Sequence, residues 1–91
     1  MVVNNKAVRG YTRTKEDHTI KVYARNKMTG FMNTMLVDLS SIEFENAFSK
    51  WVAGGIIQEA FPNLGAYVHE FFLSGMTVKE QMQLEEPVKD Q

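Results

Sequence analysis

Two hydrophobic rhythms divide this chain. From Thr19 to Arg25 the residues alternate: Ile20, Val22 and Ala24 fall on one face, Lys21, Tyr23 and Arg25 on the other. A period of two is the mark of a half-buried strand. Asn26-Lys27-Met28-Thr29-Gly30 follows with turn chemistry, its glycine suited to positive φ. A second strand is expected over Phe31–Asp38, and the two strands form a β-hairpin. Both faces of the second strand are apolar, with Phe31, Met35 and Val37 on one side and Met32 and Leu36 on the other. Either both faces are covered or one meets a partner.

After Asp38 the period changes to that of a helix. Ser40 and Glu43 form a capping box, and Leu39 and Phe44 occupy the staple positions around it. Phe44, Ala47, Phe48, Trp51 and Val52 then make a helical stripe that ends at Gly54-Gly55. Ile56–Phe61 is a short apolar segment, expected as a short helix with a strand as the alternative, and Pro62 stops it. Asn63 is placed to cap a helix over residues 64–74, with the stripe Leu64, Tyr67, Val68, Phe71 and Phe72, and Gly75 closes it. Thr77 and Glu80 offer a second capping box before a last helix that ends ahead of Pro87. The expected fold class is therefore α+β: a ββααα chain with an N-terminal hairpin on three to four short helices. Trp51, Phe48, Phe61, Phe71 and Phe72 are its expected core.

Residues 1–17 are polar, basic and aperiodic, and are expected as a flexible basic arm. Residues 18–86 form the single domain, and residues 87–91 a polar tail. Ninety-one residues suit one small domain, and 44% hydrophobic content suffices for a core. The net charge is −1, but residues 1–27 hold seven Lys and Arg against two acids, and residues 28–91 hold three against nine. Such polarity steers charged partners to one end.

Catalytic chemistry finds little support. The chain has no cysteine, hence no disulfide, thiolate metal site or cysteine nucleophile. His18 and His69 lack partners at metal-ligand spacing. No serine stands in a nucleophile-elbow context, and Gly54-Gly55 lacks the lysine of a phosphate loop. The expectation is a binding protein and not an enzyme, without cofactor or metal. No apolar run has signal-peptide or membrane-spanning character, so a soluble, intracellular protein is expected.

Two binding surfaces are legible. Lys21, Tyr23, Arg25, Met28, Phe31, Met32 and Met35 are candidate contacts for a protein partner, because methionines adapt to varied surfaces. The hairpin's open edges also invite a homodimer or an added strand. Alternatively, Arg9, Tyr11, Arg13, Lys15, Lys21, Tyr23, Arg25 and Lys27 interleave cations with aromatics, as nucleic-acid binders do.

One further pattern bears on origin. Trp51-x-x-Gly54-x-x-Ile57-Gln58-x-Ala60-Phe61-Pro62-x-Leu64, then Glu70-Phe71-x-x-Ser74-Gly75-Met76-Thr77-x-x-Glu80, resembles a group of small proteins encoded by bacteriophages and prophages. It spans residues 51–80, and the chain departs from the group's pattern at Gly65, at Val68-His69 and at Gln81. The resemblance implies an accessory protein in the cytoplasm of an infected bacterial host. It would bind a host or phage protein there, with inhibition of a host defence, as anti-CRISPR proteins do, as the concrete form.

Overall fold

The alternating run around Val22 becomes the centre of a sheet, not the edge of a hairpin. A computed structural model of the protein describes residues 6–16 and 18–85. In it β1 (Val8–Arg13), β2 (Ile20–Arg25) and β3 (Met32–Val37) form an antiparallel sheet in the order β1-β2-β3. Four helices follow: α1 (Ser41–Val52), α2 (Ile57–Ala60), α3 (Ala66–Ser74) and α4 (Val78–Glu85). The α+β class and the hairpin on helices are as expected; the third strand is an addition.

That strand corrects the flexible arm, because residues 8–13 of the supposed arm are β1. Its pairing explains why it was hidden. Val8 faces Ala24 and Tyr11 faces Val22, but the register slips at a bulge between Val8 and Gly10. The extra residue puts Val8 and Tyr11 on the same face although they are three apart, which erases the period of two. Residues 1–5, 17 and the expected tail 87–91 lie outside the described residues.

Each turn has a local cause. Thr14 and Thr19 close the β1–β2 connection, the Thr14 hydroxyl donating to Thr19 O at 2.8 Å. At the β2–β3 turn the Asn26 side-chain oxygen accepts from Met28 N (2.8 Å) and Thr29 N (3.1 Å). Gly30 there takes φ +80°, a conformation that favours glycine.

The inner sheet face carries Ile20, Val22, Ala24 and Val37, all buried. Against it pack Phe44 and Trp51 of α1, Ile57, Ala60 and Phe61, and Phe71 and Phe72 of α3. Helix α1 starts as its capping box requires: Ser40 Oγ accepts from Glu43 N, and Glu43 Oε1 accepts from Ser40 N at 3.0 Å. Phe48 is only half-buried, and Val52, at the end of the stripe, is exposed. Helix α3 begins at Gly65, which makes no side-chain cap bond, and not at Asn63. His69 Nε2 donates to Phe61 O at 2.8 Å and ties α3 to the end of α2.

A polar knot joins the sheet to α4. Glu80 Oε1 accepts from Thr77 N (2.9 Å), Asn26 Nδ2 (3.1 Å) and Asn33 Nδ2 (3.3 Å). Asn33 Nδ2 also donates to Gly75 O at 2.8 Å. The expected capping box is thus present, and its carboxylate also anchors Asn26 of the β2–β3 turn and Asn33 of β3. Glu80→Ala should strip the acceptor from three donors, including the buried Asn26 side chain, and cost about 2–3 kcal/mol. Glu80→Gln keeps a carbonyl oxygen and should cost less. Urea unfolding midpoints of the two variants check this order.

Candidate binding surface

Sheet parity decides which residues face out. Lys21 opposes Leu36, Tyr23 opposes Thr34, and Arg25 opposes Met32 across β2 and β3. Their inner counterparts on β2 are buried, so these pairs lie on the outer face. All helix contacts of the core lie on the inner side. The outer face is accordingly open: Leu36 is 64% and Met32 43% exposed, beside exposed Lys21 and Arg25 and a half-buried Tyr23. Arg25 is steadied by donation from Nη1 to Gly30 O at 2.8 Å. At one end of this face the β2–β3 turn projects Met28 and Phe31, 76% and 69% exposed.

Of the expected protein-contact set, Lys21, Tyr23, Arg25 and Met32 share the outer face, Met28 and Phe31 lie exposed at the adjoining turn, and Met35 joins neither. Met35 opposes Val22 on the inner face and packs against the core. Its apolar character serves packing, because its strand parity is odd. Leu36 belongs to the outer face and was absent from the expected set. The even parity of Met32, Thr34 and Leu36 was the signal for it.

The nucleic-acid set is scattered. Tyr11 points inward, its ring 4.9 Å from that of Phe44, and its hydroxyl donates to Glu45. It therefore stands on the opposite side of the sheet from Tyr23. Arg9 Nη1 donates to Lys6 O and Val8 O at the bulge. Arg13 and Lys15 lie at the β1–β2 end, and Lys27 lies at the other end, where its N–H donates to Ser74 O at 3.0 Å. Only Lys21, Tyr23 and Arg25 share a continuous surface.

No family model, curated protein or solved structure matches this chain. The site therefore rests on its own geometry. Among the described residues no three His, Cys, Asp or Glu side chains converge as metal ligands, and no helix is long and apolar enough to cross a membrane.

Beside β1 the sheet forms a groove of about 460 Å³ with α1, lined by Val8, Gly10, Tyr11, Phe44 and Phe48. Arg9, Glu45 and Ser49 complete its wall. The bulge and the two arginines of β1 make this edge a poor template for another strand, since irregularity and charge both discourage pairing.

Proposed function

We propose that this protein acts by binding another protein through the outer face of its sheet and the adjoining β2–β3 turn. The observation that carries the reading is the open face itself. Leu36 and Met32 are exposed opposite Lys21 and Arg25, and Met28 and Phe31 are exposed at the turn that ends the face. Contiguous exposed apolar side chains with a charged surround mark interaction surfaces. The partner chemistry that fits is an apolar patch bordered by carboxylates. The resemblance to phage-encoded proteins supports a host or phage protein as the partner, with inhibition of it, of the anti-CRISPR kind, as the outcome.

Nuclease-treated bacterial lysate passed over immobilised protein tests this. A defined protein should be retained, and Met32→Ser with Leu36→Ser should weaken its capture about tenfold or more. Both residues are exposed, so the variant should melt close to wild type. Retention that disappears on nuclease treatment would transfer the face to a different partner class.

That second class has one specific observation in its favour. Lys21, Tyr23 and Arg25 line one strand of an uncovered sheet, where a base can stack on the tyrosine and phosphates can meet the cations. Lys21→Glu with Arg25→Glu should then abolish binding of a single-stranded oligonucleotide, and wild-type affinity should fall steeply with salt.

A further inference from the structure

The two edges of the sheet are built differently. β1 carries Arg9, Arg13 and a bulge, whereas β3 reads Met-Asn-Thr-Met-Leu-Val with no charge, proline or register shift. An uncharged, regular edge strand is a template for a further strand.

The hairpin bonds fix which backbone groups of β3 are free. Asn26 N donates to Phe31 O at 2.8 Å. Hydrogen-bonded pairs alternate along an antiparallel ladder. With the β2–β3 register, residues 31, 33, 35 and 37 therefore bond to β2, and Met32, Thr34 and Leu36 direct their N–H and C=O outward. Arg25 N donates to Ala7 O on the opposite side of β2, as the same alternation requires.

We propose that β3 pairs antiparallel with β3 of a second copy, about a two-fold axis at Thr34. Only this register opposes all three outward residues at once: Thr34 meets Thr34, and Met32 meets Leu36 in both directions. It forms about six inter-chain hydrogen bonds, sets apolar and hydroxyl pairs side by side and opposes no like charges. A second copy also accounts for Phe31. The register carries that ring to the Val37 end of the facing strand. A groove of about 410 Å³ opens there, lined by Leu36, Val37, Leu64 and Val68 together with Thr19, Asp38, Asn63 and Gly65. The most exposed aromatic of the chain thus meets the Leu36, Val37, Leu64 and Val68 side of a recess on its copy. The pairing is made by the backbone edge of β3 and the outer-face reading rests on side chains, with Met32, Leu36 and Phe31 bordering both; Thr34→Lys tests the edge alone.

The chain's lack of cysteine makes the test clean. Sedimentation of the full chain over a concentration series should show a reversible dimer. Under mild oxidation Thr34→Cys should cross-link to a homodimer, since paired Cα atoms about 5.5 Å apart suit a disulfide. Thr12→Cys, exposed on β1, should not. Thr34→Lys sets two ammonium groups face to face and should yield a folded monomer that melts like wild type at dilutions where wild type is itself dissociated. A wild-type monomer at every concentration would overturn the pairing. Cross-linking of Thr12→Cys as strong as that of Thr34→Cys, or a Thr34→Lys dimer, would do so equally.

Discussion

Phe72→Ala should lower stability by about 3–5 kcal/mol, a large share of what a domain this small holds. Phe72 is fully buried, and its ring lies 5.0 Å from Phe61, 6.0 Å from Phe44 and 6.1 Å from Trp51. Its removal empties the point where α1, α2 and α3 meet the sheet, and surrounding rings cannot collapse into that space without leaving their own contacts. Trp51 is the only tryptophan, so its emission should shift to the red as the aromatic cluster loosens. Trp51→Ala should cost about as much by the same cavity logic. A Phe72→Ala protein with the wild-type denaturation midpoint and unshifted emission would refute this core.

Gly75→Ala should cost about 3–4 kcal/mol although it adds a single methyl group. Gly75 has φ +79° at the end of α3, which side chains resist. An added Cβ would overlap the Arg25 carbonyl and lie 2.6 Å from Asn26 N. Both neighbours are backbone, at the end of β2 and the start of its turn, so neither can swing aside as a side chain would. Gly54→Ala provides the contrast: φ is +114° there, but the added carbon meets nothing within 4 Å. That variant should lose only about 1–2 kcal/mol. Thermal melts of the two proteins separate the close approach from the conformational term.

Much of this fold is readable where a local rule acts alone. The Ser40 box, the helical rows through Phe44, Trp51, Phe71 and Phe72, and the Gly75 stop all depend on neighbours within one turn. β1 is different. Its evidence is a register with β2, and the bulge at Val8/Gly10 removes the alternation that would have announced it. Met35 shows the same limit within the site. Its residue type suits a partner surface, but its parity with Val22 turns it inward. Leu36 is an ordinary core residue type and stands exposed because no described residue packs over it on the outer side of the sheet. Glu80's hold on Asn26 and Asn33 spans about half the chain, and no spacing rule anticipates it.

The sheet order β1-β2-β3 follows chain order, so the ribosome delivers all three strands before any residue that covers them. Ile20, Val22 and Val37 then wait for Phe71 and Phe72. At roughly 5–20 residues per second the delay is a few seconds, far longer than a hairpin needs to close. During that interval the nascent sheet presents apolar residues on both sides. A chaperone acting on this chain in that interval would therefore meet a sheet whose inner face is covered only by residues of α1 and α2.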